Sequence, residues 1–215
     1  MAQIFPEWTN KLPPLIIINV VVGLVAVTAF VWYFFSPEYT DVGYRPVQPV
    51  PYSHKFHAGD LGLDCRYCHT SVEISSVSII PPTNTCMNCH SLILTDSEKL
   101  APIRESFNTG TPIQWIKVHN LPDFVYFNHS VHISAGVGCF SCHGNIAEME
   151  VVTQEEPLSM SWCLECHRNP APNLRPIEEV TNMKWTPPEN QAEIGAQLVI
   201  ARNINPPEDC SVCHR

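Results

Sequence analysis

Glycine is scarce in this chain, with 9 residues in 215, whereas proline is abundant at 20. Proline removes a backbone donor and breaks helix interiors, so long helices and large sheets are not expected outside a few special stretches. Charge is thin as well: 15% of residues are charged, and 12 basic residues face 21 acidic ones. A formal net charge of −9 argues against nucleic acid as a partner and is compatible with basic electron-transfer partners. Unpaired cysteine is also missing, because all 10 cysteines fall into one recurring pattern.

That pattern is Cys65-Arg66-Tyr67-Cys68-His69, repeated as Cys86-Met87-Asn88-Cys89-His90, Cys139-Phe140-Ser141-Cys142-His143, Cys163-Leu164-Glu165-Cys166-His167 and Cys210-Ser211-Val212-Cys213-His214. C-x-x-C-H is the attachment motif of a c-type haem, in which two thiols bind the porphyrin vinyls and the adjoining imidazole binds the iron. A zinc ribbon does not require His after every second Cys, and a thioredoxin-like pair occurs once in a βαβ setting. A disulfide framework does not space its cysteines so uniformly. Five covalent haem c groups are the expectation.

Leu15 to Phe35 runs without a charge and is long enough to cross a bilayer as a helix, with Trp32 and Tyr33 near its far end. A cleaved signal peptide would have a shorter apolar region and a small-residue cleavage site, where Phe34-Phe35-Ser36-Pro37 stands instead. The expected layout is a cytoplasmic N-terminus (1–14), a transmembrane anchor (15–35), a proline-spaced linker (36–51) and a periplasmic pentahaem domain (52–215). Lys11 before the span and Glu38 and Asp41 after it favour an inward N-terminus. Haem attachment outside the cytoplasm points the same way. The 180 residues after Phe35 are too few to bury five porphyrins inside a side-chain core. The predicted fold is therefore a multihaem cytochrome c, mostly irregular, with short helices wrapped around five haems and one N-terminal transmembrane helix.

Tyr52-Ser53-His54-Lys55-Phe56-His57 precedes the first two motifs, and Phe127-Asn128-His129-Ser130-Val131-His132 precedes the third and fourth. This internal repeat defines two di-haem modules, at about 52–94 and 127–170, with a fifth haem appended at 210–214. Between the modules, Asp96 or Ser97 can cap a helix carrying Leu100, Ile103 and Phe107 on one face and Gly110 beyond its end, bent at Pro102. Ile113 to Val118 reads as extended and Asn120-Leu121-Pro122-Asp123 as a turn. Thr186-Pro187-Pro188 can start a helix through about Arg202, stopped by Asn205-Pro206-Pro207.

Five histidines remain outside the motifs: His54, His57, His119, His129 and His132. They match five irons that each need a sixth ligand, with the two histidines of each H-x-x-H pair serving different haems. His119 has the least support from local pattern. Methionine is the competing ligand, with Met160 first and Met149 and Met183 after it; Met87 sits inside a haem loop. No open catalytic haem is indicated, so electron carriage is favoured over substrate reduction.

The two aromatic-x-His-x-x-His runs resemble those of class III (c3/c7-type) multihaem cytochromes, in which both histidines are distal ligands. The whole layout, with Leu121-Pro122-Asp123-Phe124-Val125-Tyr126-Phe127-Asn128-His129 and Pro157-Leu158-Ser159-Met160-Ser161-Trp162-Cys163, resembles the pentahaem cytochrome subunit of bacterial alternative complex III. The resemblance implies an electron-transfer subunit of a quinol-oxidising complex in the bacterial inner membrane. Its partners would be an iron–sulfur subunit and polytopic quinol-binding subunits, with a monohaem cytochrome c or a terminal oxidase as acceptor. The alternative is a self-sufficient membrane-anchored multihaem quinol dehydrogenase feeding periplasmic reductases. That family carries a Met soon after its first motif, where Thr70-Ser71-Val72-Glu73 stands here.

Overall fold

Proline-rich sequence with little glycine gives short helices joined by irregular chain, and that is what the computed structural model contains over residues 4–214. The chain divides into two compact units, Met1–Asp41 and Val42–Arg215.

In the first unit a 3-10 turn (Glu7–Lys11) leads into α1 (Leu12–Phe34). Pro13 and Pro14 occupy the first turn of α1, where a missing N–H breaks no helical bond. The helix is apolar all round, buries no residue in the unit, and is long and apolar enough to cross a membrane. Its two polar residues satisfy themselves: Asn19 Nδ2 donates to the Leu15 carbonyl and Thr28 Oγ1 to the Leu24 carbonyl, each at 2.8 Å. At its C-terminal end Phe34 packs on Phe30 (4.7 Å between ring centroids) and on Tyr39 (4.8 Å) of α2 (Pro37–Thr40).

The second unit holds α3 (Cys65–Cys68), α4 (Thr83–His90), α5 (Ala101–Thr109), α6 (His129–Ala135), α7 (Phe140–His143), α8 (Met160–Arg168), α9 (Gln191–Ala201) and α10 (Cys210–Cys213). Among the described residues there is no sheet, only isolated bridges between Val125 and His214 and between Val137 and Leu174. Buried apolar side chains are few: Val50, Ile103, Ala147, Leu174 and Val180. So small a side-chain core suits a chain that wraps cofactors.

Residues 42–51, read above as linker, belong to this unit. Gly43 N donates to Gln154 O (2.8 Å), Gln154 N donates to Tyr44 O (3.0 Å), and Val50 is buried. The extended run after α5 is pinned from the same segment: Gln48 Nε2 donates to Ile116 O (2.7 Å) and Gln48 Oε1 accepts from Ile116 N (2.9 Å). One amide side chain thus does the work of a neighbouring strand.

Two helix expectations are revised. Pro102 does not bend a longer helix: α5 begins at Ala101, after a 3-10 turn (Glu98–Leu100), and Pro102 sits in its first turn. Gly110 caps α5 in the left-handed region at φ +73°, as expected, but Phe107 stays exposed while Ile103 and Ser106 are buried. The last long helix, α9, starts at Gln191 instead of Thr186, because Pro187 and Pro188 form a turn from which Gln191 N reaches back to Pro188 O.

Behind the third motif sits an unusual cation. Arg175 is 5% exposed, its guanidinium 4.3 Å from the Trp185 ring centre and donating to the carbonyls of Glu179 (3.4 Å) and Asn182 (3.3 Å). It fills a slot over Gly138 that a Cβ would occupy, directly before Cys139.

Candidate haem-binding site

Each C-x-x-C segment is a turn of helix, in α3, α4, α7, α8 and α10, so the two thiols at i and i+3 come to one side and the imidazole follows immediately. Capping fixes two of these turns. Asp64 Oδ1 accepts from Arg66 N (2.8 Å) at the start of α3 and also takes Arg66 Nε (2.8 Å), while Oδ2 takes Thr181 Oγ1 (2.9 Å). The Arg66 hydrogen bonds, ahead of Thr181, hold the Asp64 carboxyl down at about 2. Ser159 Oγ accepts from Trp162 N (3.3 Å) at the start of α8. Burial pushes the free Cys139 thiol up to about 11 and the free Cys142 thiol up to about 12, the mark of an enclosed site.

The sequence repeat returns as a repeat in space. Tyr52 stacks on His57 (4.4 Å, 20°) and meets His54 edge-on (4.8 Å, 84°). Phe127 stacks on His132 (4.6 Å, 25°) and meets His129 edge-on (4.8 Å, 88°). His57 Nδ1 lies 2.8 Å from the Ser53 carbonyl, and His132 Nδ1 lies 2.7 Å from the Asn128 carbonyl. Local backbone differs: the first copy is a π-helical turn (Lys55–Asp60), the second is α6, capped by Asn128 Oδ1 accepting from Ser130 N. The aromatic holds both imidazoles in either case.

The facing partners of these rings are motif histidines. His57 faces His90 (6.3 Å between centroids), His132 faces His167 (6.1 Å), and His129 faces His143 (6.4 Å, planes 3° apart). Two metal–nitrogen bonds of about 2 Å, with half a ring beyond each, put facing centroids about 6 Å apart. These pairs therefore have the span to hold one iron between them. Donor chemistry agrees. The Nδ1 atoms of His69, His90, His129 and His167 sit 2.9, 3.1, 2.9 and 2.7 Å from the carbonyls of Ile79, Ile93, Ser76 and Pro207. An Nδ1–H given to a carbonyl leaves the Nε2 lone pair for a metal. Burial keeps the key rings neutral, as ligation needs: His54 is lowered to about 4, and His143 to about 3. Nothing in the sequence marked Ser76, Ile79, Ile93 or Pro207, because any residue supplies a carbonyl.

The remaining spare histidines are placed differently. His54 is half-buried, with its enclosed Nδ1 atom unpartnered among the described residues, and His69 adds to the burial that lowers its pKa, so the two are neighbours. His119 does not face a motif imidazole across an iron-sized gap. Its Nε2 lies 3.3 Å from Nδ1 of His143, with centroids 4.4 Å apart and rings perpendicular (85°). His214 lies beside Phe124 at 5.8 Å between ring centroids. Met160 is exposed in the first turn of α8; Met149 lies against Gly144, and Met183 is half-buried in the loop before Trp185.

Contacts between motifs set a sequence of neighbours. Motifs one and two meet where Asn88 Nδ2 donates to Tyr67 Oη (3.2 Å). Motifs one and three meet at residues 180–181: Cys139 N donates to Val180 O (3.0 Å), and Thr181 bonds Asp64. Motifs three and four share Cys142 with Cys166 and Cys163, whose nearness adds to the rise of the Cys142 pKa. Motifs four and five meet where Arg168 Nε donates to Glu208 (3.0 Å) and Cys213 lies near Cys163.

The family model described as cytochrome c7 and related cytochrome c matches residues 125–215. The chain is also 30% identical over 169 residues to the multihaem cytochrome c subunit of menaquinone reductase from Nitratidesulfovibrio vulgaris. That alignment covers 69% of this chain and 79% of the relative.

Proposed function

The chain belongs to the multihaem c-type cytochromes, and from that premise we propose that it conducts electrons through five covalent haems as the cytochrome subunit of a membrane quinol-oxidising complex. Covalent haem c supplies one-electron carriage at each motif. Cys65 and Cys68, Cys86 and Cys89, Cys139 and Cys142, Cys163 and Cys166, and Cys210 and Cys213 provide the attachment. His69, His90, His143, His167 and His214 provide the proximal nitrogen.

The observation that carries the reading is the set of three facing imidazole pairs at 6.1 to 6.4 Å, each joining a motif histidine to one from an H-x-x-H run. We assign His57 to the second haem, His129 to the third and His132 to the fourth. The repeat then assigns His54 to the first, beside His69. For the fifth haem Met160 is the best-supported sixth ligand: it lies one turn before Cys163, the part of motif four that Cys213 approaches. The neighbour contacts order the haems second, first, third, fourth, fifth. Packing does the rest of the protein's work: His57 and His132 are each held by a carbonyl and an aromatic face, so that little moves when charge arrives.

The apolar helix α1 supports single-pass anchoring, with residues 1–14 inside and residues 52–215 on the periplasmic side. The complex is taken to be alternative complex III, with an iron–sulfur subunit and polytopic quinol-binding subunits as partners. A monohaem cytochrome c or a terminal oxidase takes the electrons. Purification in mild detergent through a C-terminal tag tests this: co-purifying iron–sulfur and polytopic chains with quinol oxidation are expected. A chain that oxidises quinol by itself would instead favour a self-sufficient dehydrogenase.

A second reading has one specific observation behind it, the relative named as part of a menaquinone reductase. The same wire run in reverse would deliver electrons to a quinone. Quinone reduction by the complex from a reduced periplasmic cytochrome, without quinol oxidation, would select it.

A further inference from the structure

We propose that His119 is a positioning residue that accepts the Nδ1–H of His143 and so sets the orientation and donor strength of the third motif's proximal imidazole. It is not a sixth ligand. This rests on the reading that Cys139, Cys142 and His143 hold a haem.

Three observations carry it. The first is the contrast in acceptors. The Nδ1 atoms of His57, His69, His90, His129, His132 and His167 all lie within hydrogen-bond distance of main-chain carbonyls, at 2.7 to 3.1 Å. His143 breaks the pattern, because its Nδ1 meets a ring nitrogen, His119 Nε2, at 3.3 Å. The second is the internal repeat. The equivalent imidazole of the first module, His69, is anchored by the Ile79 carbonyl from its own spacer, with Ser78 Oγ also near at 3.2 Å. The third motif has no such carbonyl among the described contacts, and a side chain from the segment between the modules stands in its place. The third is geometry: 4.4 Å between perpendicular rings is too close to enclose an iron, whereas His129 and His143 lie 6.4 Å apart with parallel planes.

The tautomers follow. With Nε2 of His143 as the nitrogen that would bind the iron, Nδ1 would carry the ring proton, and His119 Nε2 would accept it. An imidazole nitrogen is a stronger base than an amide carbonyl, so this hydrogen bond makes His143 the more electron-rich donor and favours the oxidised iron. The role also leaves four spare histidines for distal ligation, which is consistent with a methionine on the fifth haem.

The test is a redox titration with electron paramagnetic resonance on the detergent-solubilised full chain carrying His119→Ala and, separately, His119→Gln. Expected in His119→Ala are five haems, low-spin iron throughout, and one midpoint potential moved upward with one altered low-spin signal. His119→Gln, which returns a carbonyl acceptor, should bring that potential part of the way back. A high-spin ferric signal in His119→Ala would make His119 a ligand and overturn the proposal. Unchanged potentials and signals in both variants would make it a bystander and overturn it equally. Haem content of the unsubstituted chain separates the two levels: absence of haem on Cys139 and Cys142 removes the underlying reading and this role with it.

Discussion

A spare histidine becomes interpretable once the destinations of both ring nitrogens are known. His57 and His132 each give Nδ1 to the carbonyl of the residue preceding the H-x-x-H run, which leaves Nε2 free as a donor on a ring whose neighbour is a motif histidine. Replacing His57 or His132 by Ala should therefore leave five attached haems but convert one from low-spin to high-spin, read by electron paramagnetic resonance. Loss of no low-spin signal would contradict the pairing. Gly138 makes a different kind of prediction. A Cβ there meets the Arg175 guanidinium, which Trp185 and two carbonyls hold in place. Gly138→Ala should cost about 1–3 kcal/mol through overpacking, seen as a lower thermal midpoint of the holoprotein. The cysteine motifs and the H-x-x-H runs were legible in the sequence because their chemistry lies in side-chain type at short spacing. The destination of His119 was not, because it depends on which ring edge a loop from another region approaches. Arg175 was also missed, since a cation behind a motif carries no spacing.

The two H-x-x-H copies reach the same side-chain arrangement on different backbones, a π-helical turn in one and the capped helix α6 in the other. The aromatic, the two imidazoles and one carbonyl recur in both copies, and the backbone between them differs. In α6 the adjustment depends on Asn128, whose Oδ1 accepts from both Ser130 N (3.0 Å) and Ser130 Oγ (2.8 Å). Asn128→Ala should cost about 1 kcal/mol of stability and Asn128→Asp much less, measured by thermal unfolding of the holoprotein. Sequence placed helices well where caps and prolines are local, as with Gly110 closing α5. It erred where a proline admits two roles: Pro102 was expected to bend a helix and instead lies in its first turn. The long apolar helix was the simplest element to place, since 21 uncharged residues in a row are long enough to cross a bilayer. Replacing residues 1–35 by a cleavable signal peptide should give a soluble pentahaem protein without quinol oxidation. Quinol oxidation retained by that protein would place the quinol site in the haem domain.

At the scale of the molecule, five local motifs become one conductor only through contacts between them. The order second, first, third, fourth, fifth could not be read along the chain. It arises because the loop at residues 180–181, far downstream, bridges Cys139 and Asp64, and because Glu208 reaches Arg168. The motifs at the two ends of that order are the natural places for a donor and an acceptor. Substituting Cys210 and Cys213 by Ala should leave four haems and intact internal reduction, while transfer to the partner at that end is lost. Everything above depends on five covalent attachments, and the intact mass of the purified holoprotein measures that directly. A single species heavier than the polypeptide by five haems is the expected result. A species carrying fewer haems, with free thiols left at any of the five motifs, would contradict it.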